Sequence, residues 1–307
     1  MRSSVRHSLA ALILGALTVG AVGCSSSSDG GNGDGDDRGT GLEKALAAVP
    51  DSAADESILY VDVSAVRDLV AKDEKQFKNL RSLGIPEAGY ATVPLKEWGF
   101  DEKDVETSIA VGNGGSTRMT GQFDTATLTK ALEQKGYGAS DIDGGTLLKK
   151  PGSDSTFQVS SSVRVAILDT DATGLGLDEP ERSLVGDPAY AAVTDCLGDV
   201  YYASFYGKVE RKGIALLAIG ARLGADGTST ETICTVNASE KAAQGTATKL
   251  RGKTKAGEPY AGSKVTIGGG KTPIVSMTWK NSSQPRLRPG DNDKTLDLPG
   301  LLLLGQR

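Results

Sequence analysis

Apolar and polar positions along the chain follow two periods, one near two and one near three to four, and the switches between them mark out the elements. In the first half, residues 57–63 (SILYVDV) read as a strand. Residues 64–83 read as one helix, because Val66, Leu69, Val70, Phe77 and Leu80 recur at helical spacing and Gly84 follows. Residues 95–100 form a short turn or helix. Residues 105–112 and 116–123 read as a hairpin around Asn113-Gly114-Gly115, a strong turn signal. Asp124 is placed to cap a helix running to 135, which Gly136 ends. Two more strands are expected at 146–150 and 163–169.

The second half repeats this order. Asp187-Pro188 opens a helix to about 197, with a capping side chain followed by a first-turn proline. A strand at 199–206 precedes a hairpin of 213–223 and 228–236 around Ala225-Asp226-Gly227. Asn237 is read as the cap of a helix to about 250, with Glu240 completing a capping box, and 263–268 and 273–280 form a last hairpin. The pattern predicts an α+β fold: mainly antiparallel sheet with helices on one face, in two structurally related lobes, 42–172 and 173–307. The helix after Asp124 would bury Leu128, Ala131 and Leu132; the one after Asn237 would bury Ala242, Ala243, Ala247 and Leu250.

The N-terminus departs from both periods. Arg2 and Arg6 precede an uncharged apolar run from 9 to 22, too short to span a membrane in the mature protein. Ala21, Val22 and Gly23 then lead to Cys24. This segment resembles the lipobox of bacterial lipoproteins, with Ala21 where leucine is usual. The resemblance covers the first 24 residues and implies removal of 1–23 and lipidation of Cys24. Ordinary secretory cleavage is the alternative. The lipid would anchor the chain on the extracytoplasmic face of the cell membrane. Residues 25–41 (SSSSDGGNGDGDDRGTG) hold no apolar side chain to bury. They read as a disordered tether with an end-to-end distance of about 21–25 Å. Such a tether after the Cys is similar to those of actinomycete-type lipoproteins.

Composition narrows the chemistry. The chain has 307 residues, 38% of them hydrophobic and 24% charged, with 40 Gly and 11 Pro. Its one histidine, His7, lies in the leader, so no imidazole remains for triads, Cys-His pairs or His-ligated zinc. Of three cysteines, lipidation of Cys24 leaves Cys196 and Cys234, which an exported chain would join as a disulfide; two buried thiols are the alternative. Residues 241–307 carry 12 basic and 4 acidic residues, whereas 24–240 carry 20 basic and 35 acidic. That asymmetry suits an anionic lipid or wall partner, or an acidic half that the basic half faces; it does not suit nucleic acid outside the membrane.

Candidate sites are sparse. Asn32, Asp34, Asp36 and Glu43 fall at calcium-loop spacing, but Asp37 stands where the loop needs glycine. Gly268-Gly269-Gly270-Lys271-Thr272 resembles the end of a phosphate loop, but Pro273 and a strand follow it. No cofactor signature is present. The acidic groups Asp169/Asp171, Asp141/Asp143 and Asp178/Glu179/Glu181 lie in polar, turn-like stretches. Tyr201, Tyr202, Phe205 and Tyr206 form an aromatic cluster that could line a ligand surface or pack into the core. Along a strand, Tyr202 and Tyr206 would share a face with Val200, and Tyr201 and Phe205 would share the other. The sequence therefore points to a non-enzymatic, membrane-anchored lipoprotein that binds an envelope partner or ligand. A hydrolase using paired carboxylates is the alternative.

Overall fold

The computed structural model describes residues 39–304, except 82, 90–93, 170, 212, 225–227, 270–271 and 281–297. The leader, Cys24, the acidic tether, the turn at 225–227 and the Gly270-Lys271 pair lie outside the described residues.

Twelve strands form one antiparallel sheet, so the two halves share a single sheet. The first half contributes β1 (Ile58–Asp62), β2 (Val105–Val111), β3 (Ser116–Gly121), β4 (Gly138–Ile142), β5 (Gly145–Lys149), β6 (Thr156–Val159) and β7 (Val163–Ile167). The second contributes β8 (Tyr202–Arg211), β9 (Ile214–Leu223), β10 (Ser229–Asn237), β11 (Lys264–Gly268) and β12 (Ile274–Lys280). The halves join where β1 pairs antiparallel with β8, Leu59 opposite Ser204. Outward from that seam the order is 1-2-3-7-6 on one side and 8-9-10-12-11 on the other. The same wiring is thus used twice, and the first half adds the hairpin β5–β4 at its edge.

The helices are α1 (Gly41–Ala47), α2 (Val63–Lys72), α3 (Glu74–Phe77), α4 (Thr125–Gln134), α5 (Pro188–Leu197) and α6 (Glu240–Lys253). Register assigns the layers, because residues paired across neighbouring strands share a face. Ile58, Tyr60, Ile109, Phe205, Ala218 and Cys234 point one way, into a core closed by α1 and α5. Val61, Met119, Phe157, Tyr202 and Ala221 point the other way, under α2 and α4, while Ile219, Ile233 and Met277 meet α6 there. The helices α4 and α6 share one face, as the repeated order requires. α1 and α5 form a second layer on the opposite face, because the central strands are apolar on both sides.

Local chemistry explains where the elements differ from the sequence pattern. The single helix expected at 64–83 is split: Asp73 leaves helical geometry and its side chain accepts from Gln76 N–H, restarting the chain as α3. A 3-10 turn at Lys78–Leu80 follows. The tether gives way early to α1, where Thr40 and Glu43 form a reciprocal capping box. Glu43 accepts from Thr40 N–H at 2.6 Å, so the residue at the last calcium-loop position is occupied as a cap. Asn237 does not cap α6; Ser239 does, accepting from Ala242 N–H. The buried Asn237 amide instead donates to Thr235 O and Pro273 O and accepts from Thr246 Oγ1, bracing β10 against β12 and α6. Asp124 and Asp187 cap α4 and α5 as expected. Near the C-terminus, Leu298 and Leu302 are buried against α6's cluster, so the leucine run docks on the core.

Candidate functional site

Two clefts open on the face covered by α2, at opposite ends of β1. The first, about 510 Å³, lies at the start of β1. Its floor includes Leu59, Ser108, Ala110, Thr117, Tyr202 and Ser204 from four adjacent strands. Its roof is the irregular stretch Leu83-Gly84-Ile85-Pro86. The roof lies so close that a Cβ on Gly84 (φ +82°) would come within 2.8 Å of Val61 Cβ. Among the described residues the lining holds no Asp, Glu, Lys, Arg or His. Ser57 and Asn113 are hydrogen-bonded to each other at the rim. Thr117 is buried, and its Oγ1 has no hydrogen-bond partner among the described residues.

Beside this cleft the roof is pinned by an ion pair. Glu87, directly after Pro86, meets Arg164 of β7 at 2.5 Å, and both side chains are buried. The guanidinium also lies 4.9 Å from the Phe100 ring centre and 5.0 Å from that of Phe157. Arg164 Nε and Nη1 and Glu87 Oε2 have no hydrogen-bond partner among the described residues. An ion pair this poorly supported by hydrogen bonds is costly to bury, yet breaking it from one side costs more.

The second cleft, about 330 Å³, lies at the other end of β1, beside the residues that lead into β8 and the end of β9. It is lined by Asp62, Asp68 and Asp199 with Lys72, Arg222 and Tyr201. Asp62 caps α2, accepting from Ala65 N–H at 2.8 Å. Burial, together with the nearby Asp199 and Asp68 charges, raises its carboxyl above the usual carboxylate range against the pull of its backbone hydrogen bonds. Asp68, Asp199, Lys72 and Arg222 are exposed. Among the described residues no group of three or more His, Cys, Asp or Glu is arranged to hold a metal ion.

The aromatic cluster is divided between these places. Tyr202 lines the first cleft and Tyr201 the second. Phe205 is fully buried on the opposite face, stacked on Tyr190 at 5.3 Å, and Tyr206 is exposed. The alternation expected from residue 199 fails at its start because β8 begins only at Tyr202. Tyr201 and Tyr202 therefore enter the same cluster, while Val200 joins Phe205. Asp169, Asp171, Asp141, Asp143, Asp178, Glu179 and Glu181 are all exposed. Cys196 and Cys234 form a disulfide with Cα atoms 6.3 Å apart, tying α5 to β10. Lys241, Lys249, Arg251 and Lys255 are exposed on and just after α6.

Neither the first cleft nor the role of Glu87 has a local signature in the chain. Arg164 did leave one: a lone charge at mid-strand in the apolar run VRVAI.

No family model matches the chain, and no curated protein matches it. The solved crystal form I of TP0453 is similar to it at a TM-score of 0.41 with 10% identity. The match covers 77% of this chain and 92% of that one.

Proposed function

We propose that this chain is an exported protein, lipidated at Cys24 and held on the extracytoplasmic membrane face, that binds an envelope ligand without transforming it. One observation carries the binding reading: the larger of the two clefts is built, among the described residues, from apolar, hydroxyl and amide side chains, with the few polar groups and the volume of a ligand pocket. The Cys196–Cys234 disulfide supports an oxidising compartment. The acidic groups picked out in the sequence are solvated, and the buried part of the Asp62 carboxylate works as a helix cap.

Mass spectrometry of the full chain extracted from membranes in mild detergent tests this reading. The expected result is an acylated Cys24 at the mature N-terminus and a small molecule released on denaturation. An unmodified Cys24, or cleavage elsewhere, overturns the anchor. A chain that carries no small molecule and takes up none from a membrane extract overturns the binding reading. The hydrolase alternative has the second cleft as its foothold, through Asp62 and its neighbours. An activity on envelope polymers that Asp62→Asn abolished would establish it instead.

A further inference from the structure

We propose that the first cleft selects an uncharged, mainly apolar small molecule bearing one hydrogen-bond acceptor, which pairs with Thr117 Oγ1. The inference rests on the binding reading above and narrows it to a ligand class. Three observations support it.

The first is charge. With no carboxylate, ammonium, guanidinium or imidazole among the described residues of the lining, an anion would find no cation and a cation no carboxylate. Either would have to surrender its hydration without a partner, which disfavours both. The second is the unmet hydroxyl. Buried polar side chains nearly always find a partner, and an orphaned one calls for a ligand or a bound water. Thr117 is 1% exposed, lines the cleft and leaves Oγ1 unpaired among the described residues; the oxygen itself is sealed from solvent, so pairing with a ligand requires the side chain to turn about χ1. The nearby polar pair cannot relieve it: Ser57 Oγ donates to Asn113 Oδ1 at 2.9 Å and accepts from Asn113 N–H at 3.0 Å. The third is size and surface. About 510 Å³ is the volume of a small-molecule site. Leu59, Leu83, Ile85, Ala110 and Leu168 supply the apolar contact, and Leu168 is the exposed one. The roof over this surface is fixed from outside the lining by Glu87 on Arg164. The charges needed to hold it down are therefore kept away from the ligand.

The probe is Nile red, neutral and apolar with a carbonyl acceptor, titrated into the purified full chain; the sulfonated dye ANS is the charged counterpart. Nile red should brighten and shift to the blue with saturable binding, and ANS should not displace it. Thr117→Val keeps the shape and removes the donor, so Nile red should bind about fivefold more weakly, the effect of one hydrogen bond. Ala110→Phe should fill the cleft and abolish the response. Because that substitution could disturb β2, Ser204→Leu at a half-buried position on β8 provides a second blocking variant, with folding of each checked by circular dichroism.

Equal Nile red binding by the wild type and a folded blocking variant overturns the site. Unchanged affinity in Thr117→Val overturns the hydroxyl's role, and displacement by ANS overturns the preference for neutral ligands. If a co-extracted molecule is found while these outcomes occur, ligand binding stands and only this assignment falls. If neither the probe nor a co-extracted molecule is found, the binding reading falls with it.

Discussion

At the end of β1 the cleft is lined by three carboxylates and two cations; at its start the cleft is lined, among the described residues, by none. Both sit against β1 on the same sheet face, and the neighbours Tyr201 and Tyr202 separate into one each. The charged cleft forms where a strand runs into a capped helix, and most of its ionic groups keep their water. The neutral cleft forms where an irregular stretch crosses the strands. The two charges that hold this stretch, Glu87 and Arg164, are withdrawn from water and answer each other. In the first place solvent compensates charge, and in the second a single partner does. The two regions should therefore respond differently to substitution, salt and pH.

The widest separation between them should come from Glu87→Ala. It leaves Arg164 buried without its carboxylate, and chemical denaturation should show a loss of about 3–5 kcal/mol. Glu87→Leu combined with Arg164→Met should recover most of that, since an apolar pair can replace a buried ionic one. A loss below about 1 kcal/mol for Glu87→Ala would mean that the pair does not hold the roof and that both clefts rest on solvent-compensated charge. Removing the disulfide with Cys196→Ser and Cys234→Ser should cost about 2–4 kcal/mol, as measured by thermal melting. Because the bond lies on the sheet face away from both clefts, probe affinity below the melting range should stay unchanged. A fall in affinity would show that the neutral cleft depends on more than its roof.

Asp62→Ala should give the smallest change, a loss of about 1 kcal/mol from the missing cap. Asp62→Asn keeps a capping oxygen and isolates the charge. The folded carboxyl titrates above the usual 3.8, so the folded state holds the proton more tightly than the unfolded one. Asp62 therefore favours folding below 3.8, and this contribution is lost as pH rises through its folded value. Denaturation of Asp62→Asn across that window should show a flatter dependence of stability on pH. An identical slope in both proteins would place Asp62 among the fully solvated groups.

What could be read in the sequence was local. Asp124 and Asp187 announced α4 and α5 because a cap acts within three residues of itself. The Asn-Gly-Gly turn announced β2 and β3 for the same reason. Asp73 was equally local but masked, since Phe77 and Leu80 continue the helical spacing past the break. Asn237 misled because a capping residue type stood two positions before the true cap and was engaged by the sheet. β4 was hidden by its own exposure: on the outermost strand Gly138, Ala139, Ser140 and Asp141 are all exposed and show no alternation. The neutral cleft could not be read at all. Its floor comes from β1, β2, β3 and β8, and its pin joins residues 77 positions apart.

The seam between β1 and β8 also governs how the chain reaches its native state. Leu59 must wait for Ser204 before its strand is paired on both sides. A chain made from its N-terminus can complete β1 to β7 while the outer rim of β1 still lacks its neighbour. Such a rim is a template for pairing with any passing strand. Distant contacts of this kind slow folding and prolong exposure of the half-built sheet. The interval between the emergence of the two halves is thus the stage at which this protein is most open to aggregation and most in need of a chaperone.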